Sequence, residues 1–231
     1  MHTEQHVLDN PVWYAMISGN KALAQGTDAA KIFPKEVSPI AGLQAYTTAH
    51  FNALYDITSF DRPALIFAVN EVVIPDGWNV LLRLSGFQMV YAGASLPPMP
   101  KEEYIVALQD NDVPQMLALT QLTNPGPFAS RTIDFGGYEG IFNAGELVAM
   151  AGQRLYPYNY VEISAVCTHP AHTGKGYARG LILRQMHHIV AAGNTPFLHV
   201  KDDNHRAINV YENLGFEIRT KVLFFVLQKK R

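Results

Sequence analysis

Val161-Glu162-Ile163-Ser164-Ala165-Val166-Cys167-Thr168-His169-Pro170-Ala171-His172-Thr173-Gly174-Lys175-Gly176-Tyr177-Ala178 is the stretch on which the fold turns. It reads as a strand running into a short loop, then a glycine-rich turn that opens a helix near Gly176. Val161, Ile163, Ala165 and Cys167 alternate with Glu162, Ser164, Val166 and Thr168, which predicts one apolar face and one that carries polar groups beside Val166. Pro170 has no N–H to give a ladder, so the strand ends there. Gly174 and Gly176 lack Cβ atoms, and a phosphate-bearing ligand can therefore come close to backbone N–H groups at the positive end of the following helix. The stretch is suited to holding an anion.

Spacing separates the ligand classes that use such a turn. A P-loop would place a glycine at position 169 and a Ser or Thr at 176, where this chain has His169 and Gly176. A dinucleotide fingerprint is closer, with Gly174, Gly176 and Gly180, but its third glycine is displaced by one and Arg179 fills the usual place. Six residues, Thr168 to Thr173, also separate strand from turn, and too little chain follows for the rest of a dinucleotide sheet. A nicotinamide-dependent oxidoreductase thus ranks third.

Coenzyme A binding is the remaining class. Val166 to Ala178 resembles motif A of the GCN5-related N-acetyltransferases, in which a strand and a proline precede Arg or Gln, two residues, Gly, one residue, and Gly or Ala. That pattern falls on Thr173, Gly176 and Ala178. Thr173 departs from it and removes a guanidinium, leaving pyrophosphate binding to backbone N–H groups and Lys175. Downstream, Ala178, Leu181, Ile182, Gln185, Ile189 and Ala192 lie at helical spacing until Gly193-Asn194, and Thr195 to Val200 reads as a short buried strand. Asn204-His205-Arg206-Ala207-Ile208-Asn209-Val210-Tyr211-Glu212-Asn213-Leu214-Gly215-Phe216 then resembles motif B of the same family, with Asn204 as N-cap. From Tyr104 to Lys229 the chain is similar to the FR47-like bacterial acetyltransferases, including Pro125-Gly126-Pro127-Phe128.

The resemblance implies an α/β fold with a mixed, mostly antiparallel central sheet flanked by helices. It also implies acetyl-CoA as cosubstrate, and a primary amine of a small molecule or peptide as acceptor, attacked in a ternary complex. Two strands are expected to splay near Val166, whose N–H would bind the thioester carbonyl while the main chain of Thr168 pairs with pantetheine. Cys167, Thr173, Gly174, Lys175, Gly176, Tyr177, Ala178 and Asn204 complete the implied coenzyme site. Tyr211 matches the tyrosine that donates a proton to the departing thiolate; the alternative is a packing tyrosine with its hydroxyl satisfied. Glu162, four residues before Val166 and so expected on the same face, is the candidate general base for an incoming ammonium, with His199 as its rival. A solvated strand glutamate and a core histidine are the plainer readings. Cys167, expected opposite Glu162, reads as a buried structural thiol. A coenzyme A sensor without turnover is the alternative function, favoured by Thr173.

Composition bounds the rest. The chain has 231 residues, 48% of them hydrophobic, enough for one large or two small domains. A formal charge of −2 argues against a broad nucleic-acid or membrane-surface footprint. A single cysteine excludes an internal disulfide, and with neither a signal-like leader nor an apolar run of membrane length the expected location is cytoplasmic. His169 and His172, like the adjacent His187 and His188, lack the spacing and partners of a zinc site, so no metal is expected; His2 and His6 read as surface residues.

Along the chain, helices are expected over Val12 to Met16 and Leu43 to Leu54, and strands over Pro63 to Val73, Trp78 to Leu84 and Phe87 to Tyr91. Ser95 to Lys101, with three prolines, reads as a linker. It divides an N-terminal accessory α/β domain (1–98), a candidate dimerising module or degenerate second copy of the fold, from an acetyltransferase domain (102–231). In the second domain a strand at Tyr104 to Leu108 and a helix to Leu122 precede a meander of Tyr138 to Phe142, Glu146 to Leu155 and Val161 to Thr168. Phe216 to Thr220 and Val222 to Gln228 finish the sheet.

Overall fold

The structure is a computed structural model and describes residues 6–99 and 104–231. His2 and the end of the Ser95–Lys101 linker lie outside the described residues. Helix α1 (Pro11–Ile17) starts on Pro11, where a missing N–H costs nothing. Strands β1 (Gln25–Gly26), β2 (Ala30–Ile32) and β3 (Ala41–Leu43) form a small antiparallel sheet. Helix α2 (Thr48–Ile57) follows, its N-cap Thr47 accepting from the N–H of His50. The helix expected from Leu43 therefore begins five residues later, because Ala41–Leu43 is buried throughout and pairs as a strand.

The main sheet has eight strands, β4 (Ala64–Ala68), β5 (Trp78–Tyr91), β6 (Ile105–Ala107), β7 (Glu139–Asn143), β8 (Glu146–Gln153), β9 (Tyr160–Thr168), β10 (Thr195–Lys201) and β11 (Phe216–Lys229). Its order is β4-β11-β5-β10-β9-β8-β7-β6, antiparallel except for the pair β9–β10. Helix α3 (Val113–Thr123) lies between β6 and β7 in sequence, α4 (Tyr177–Ala191) between β9 and β10, and α5 (His205–Glu212) between β10 and β11. The turns at Ala144 and Tyr158 each place one non-glycine residue at positive φ.

β5 and β11 each run unbroken for 14 residues where two short strands were expected. Ser85-Gly86 reads as a break in sequence, but a Cβ on Gly86 would stand 2.3 Å from the carbonyl oxygen of Val200, so this glycine serves the close approach of β10. The sheet does not divide at the linker. β5, from the first hundred residues, lies between β10 and β11 from the last forty, and β4 forms the edge beyond β11. Apolar residues of α1 and α3 cover one face, with Val12, Met16, Met116 and Leu119 in one cluster. Ile182, Met186 and Ile189 of α4 and Ile208 of α5 cover the other. No helix among the described residues is long and apolar enough to cross a membrane.

Candidate active site

The site begins where two strands part. β9 and β10 pair only over Tyr160–Glu162 and Thr195–Phe197. Beyond that register β9 continues against β8 alone, and β10 against β5 alone, so a gap opens along Ile163 to Thr168. In the same segment β9 carries a bulge: between the pairs Met150↔Cys167 and Gly152↔Ser164, β8 has one residue and β9 has two, Ala165 and Val166. Ala165 takes φ 53°, a left-handed conformation that costs a non-glycine residue energy and recurs at functional sites.

The bulge corrects the expected facing. Val161, Ile163 and Val166 pack on the α4 side, whereas Ala165 and Cys167 join the cluster on the α1/α3 side. Glu162 is on that second side too, so it shares a face with Cys167 and not with Val166, the reverse of strict alternation. Cys167 is buried, and its thiol is pushed up to about 11 by burial, which leaves it a structural thiol.

At the far end of the gap, Gly174 and Gly176 take φ of +79° and +82°, with no atom within 4 Å of where a Cβ would stand. Gly176 is the N-cap of α4, and no side chain accepts from the first-turn N–H groups. The turn is thus an open cradle of unspent donors at a positive helix end, a fit for a pyrophosphate. Lys175 lies 3.3 Å from Nδ1 of His172 and within 5.9 Å of the Tyr177 ring centroid. Desolvation, Lys175 and His169 together lower the pKa of His172. Thr173 donates its hydroxyl to the carbonyl of Pro170 (3.1 Å), and Ala178 opens α4 beside Tyr177. Asn204 caps α5, accepting from the N–H of Ala207 at 3.2 Å, so its side-chain oxygen is committed to the helix.

Glu162 is neither a solvated residue nor a free base. Its side chain is 0% exposed, and Arg154 donates to both oxygens, Nε to Oε2 at 2.8 Å and Nη2 to Oε1 at 2.6 Å. Nδ1 of His199 completes the group at 2.7 Å from Oε1. Burial by itself would raise the pKa of Glu162, but the charge and hydrogen bonds of Arg154 and the bond from His199 outweigh it and hold it at about 2. His199 has no free nitrogen either, since its Nε2 accepts from Gln88 Nε2 (3.2 Å), which also donates to the carbonyl of Leu8 (2.9 Å). A proton acceptor needs an accessible lone pair and a pKa near the working pH. Both expected bases lack the first, and Glu162 also lacks the second.

Tyr211 is buried on α5, edge-on to Phe216 at 6.1 Å, and its pKa is pushed up to about 12 by burial. It stays protonated over the working range, so its hydroxyl can donate a hydrogen bond but supplies no phenolate base. Among the described residues no group of three or more His, Cys, Asp or Glu is placed to hold a metal.

Sequence reasoning missed Arg154, Gln88 and a second buried network. Glu139 on β7 accepts from Arg184 Nε (2.6 Å) and from Gln185 Nε2 (2.8 Å), and Gln185 also donates to the carbonyl of Gly137 (2.7 Å), tying α4 to the sheet. Arg154 could have been found. A turn centred on Tyr158 sets Arg154 opposite Glu162, as the backbone bonds Arg154 N–H to Glu162 O (3.1 Å) and Glu162 N–H to Leu155 O (2.8 Å) show.

Residues 138–225 match the model of the FR47-like protein family. No protein of curated function matches the sequence. A solved structure from Novosphingobium aromaticivorans, a protein assigned to the GNAT family of acetyltransferases, superposes with a TM-score of 0.91 at 32% identity, over 98% of this chain and 100% of that one. A GCN5-related N-acetyltransferase from Kribbella flavida superposes with a TM-score of 0.64 over 95% of each chain, at 17% identity, a likeness of fold.

Proposed function

This chain belongs to the GNAT family of acetyltransferases, and on that premise we infer that it transfers an acetyl group from acetyl-CoA to a primary amine of a small molecule or peptide by direct attack in a ternary complex. One observation carries the reading: the β9–β10 pairing stops at Glu162 and Phe197, and the gap leads to an uncapped helix end behind two open glycines. The free edge of β9 from Val166 to Thr168 would hold the pantetheine arm, and the N–H groups around Gly174, Gly176, Tyr177 and Ala178, with Lys175, would hold the pyrophosphate. The bound coenzyme supplies an activated acetyl group on a good leaving thiolate.

The chain's own contribution is position and one proton donor. A backbone N–H beside the bulge would polarise the acetyl carbonyl, a role worth roughly 3 kcal/mol per donor. Tyr211 would hydrogen-bond the departing sulfur; a phenol held near 12 donates to a thiolate without ionising itself. With Glu162 and His199 committed to Arg154 and Gln88, the amine reaches the site already uncharged, and these residues serve to position β8, β9 and β10.

Calorimetry with acetyl-CoA followed by thiol-release assays tests the reading. Micromolar binding and amine-dependent thiol release are expected, and Tyr211→Phe should lower kcat about tenfold or more with the acetyl-CoA affinity unchanged. Absence of acetyl-CoA binding would refute the assignment. Binding without thiol release for any primary amine would favour a coenzyme A sensor.

A further inference from the structure

Apart from the gap between β9 and β10, the main sheet has several backbone edges, and most of them are shielded. β4 is buried at every position, and residues 39 and 40 meet its outer side: the Leu65 N–H donates to the carbonyl of Pro39 (2.9 Å), and Leu65 bridges to Ile40. β6, at the opposite end of the sheet, is only three residues long. β11 runs past the end of β4 over residues 216–222, and there it carries Glu217, Arg219 and Lys221. Cover, shortness and charge are the devices by which natural sheets keep an edge from pairing with another chain.

The first half of β5 is treated differently. β10 pairs with β5 only from Gly86 to Val90, so residues 78–84 have β11 on one side and, among the described residues, no strand on the other. The N–H of Asp202 donates to the carbonyl of Ser85 (3.4 Å), which shows that the polar backbone groups of Ser85 point away from β11. By alternation Arg83 turns its N–H and C=O to the open side as well. A bulge against β11 falls at Leu81, and Val80, Leu81 and Leu82 in succession are 48%, 59% and 47% exposed. Arg83 is the only charged residue in β5, and Glu71 pairs with it. A long apolar edge with unspent backbone groups and a neutralised charge is built to take another strand.

The sequence of the edge is complementary to itself. Read outward from Leu82, it has Leu81 and Arg83, then Val80 and Leu84, then Asn79 and Ser85. In an antiparallel pair about a two-fold axis at Leu82, Leu82 opposes Leu82, Val80 opposes Leu84 and Asn79 opposes Ser85, so apolar meets apolar and polar meets polar. Each Arg83 opposes Leu81, and the two guanidinium groups do not face each other. We propose that a second copy of this chain docks on residues 79–85, joining two eight-stranded sheets into one across a two-fold axis. Because Arg83 carries the outward backbone groups, Leu82 forms a non-hydrogen-bonded pair, the kind in which facing side chains come closest. The edge is smaller than a standard interface of about 20–30 residues a side, so the dimer is reversible and dissociates on dilution.

Sedimentation velocity of the full chain over a dilution series, with thermal melts beside it, tests the proposal. Wild type should pass from a monomer of 25.6 kDa to twice that mass as concentration rises. Leu82→Lys should weaken self-association by about tenfold or more, with the Tm of the dilute monomer unchanged because that side chain is half exposed before docking. Leu82→Cys should give a disulfide-linked dimer on mild oxidation, reversed by reductant, since the two side chains meet on the axis. Wild type, whose single cysteine is the buried Cys167, should not cross-link. A wild type that stays monomeric at every concentration would overturn the proposal and leave the edge to a strand of another protein. A dimer that Leu82→Lys leaves intact, or assemblies that grow beyond the dimer, would overturn it too. Should Leu82→Lys fail to fold, the cysteine variant decides alone, and absence of its cross-link would refute the two-fold at Leu82.

Discussion

Replacing Glu162 by Gln would leave the Arg154 guanidinium, 12% exposed, beside a neutral amide. Removing one partner of a buried ion pair costs about 3–5 kcal/mol, far more than the pair contributes over an apolar substitute. Glu162→Gln should therefore lower stability by that amount in urea titrations at pH 7, and a loss under 1 kcal/mol would show that the pair is not shielded as described. The pH dependence has a definite sign. The folded pKa of about 2 lies below the ordinary 4.5, so the stabilisation is fully present above 4.5 and is lost as pH falls through 2. Wild type should lose roughly 3 kcal/mol across that window, and the Gln variant should lose correspondingly less. A glutamate in a strand reads from sequence as solvated or as a base, and only its cross-strand partner decides otherwise. That partner was legible, because the Pro157-Tyr158-Asn159 turn fixes the register that sets Arg154 opposite Glu162.

The shape of the turn from Thr173 to Tyr177 was legible, since Gly174 and Gly176 stand where the backbone takes a positive φ. At φ +82° with open space around it, Gly176 holds a shape that a β-branched residue rarely adopts. Gly176→Val should weaken acetyl-CoA binding by an order of magnitude or more in calorimetry, in a variant shown to be folded by its melt. Unchanged affinity would remove the turn from the coenzyme site. Thr173→Arg should tighten binding by about 1 kcal/mol through a new charge-assisted contact, because the Thr173 side chain now bonds only the local carbonyl of Pro170. The bulge at Ala165 was not legible. Hydrophobic alternation records which residues are apolar and carries no mark of where an extra residue enters, and one such residue moved Cys167 to the face of Glu162 and Val166 away from it.

Over the whole molecule, the helices and the strands of the main sheet were found in order, but neither the small sheet of β1, β2 and β3 nor the way the first hundred residues join the rest was. Pairing of β5 with β11 links residues more than a hundred positions apart, and no local pattern signals it. The two segments also share their polar and aromatic cores. Gln88 of β5 joins His199 to the carbonyl of Leu8, Phe33 meets Phe135 edge-on at 4.9 Å, and Thr132 donates to the carbonyl of Val37 at 2.6 Å. A fragment of residues 102–231 would lack β5, leaving β10 and β11 without the strand that lies between them and His199 without Gln88. Exposed strand edges and an opened core favour aggregation over folding. Expressed alone, that fragment should show no cooperative thermal transition and no acetyl-CoA binding by calorimetry, while the full chain shows both. If instead the fragment melts cooperatively and binds acetyl-CoA as the full chain does, residues 1–98 form a dispensable accessory domain, and the interleaved sheet is not required to shape the coenzyme site.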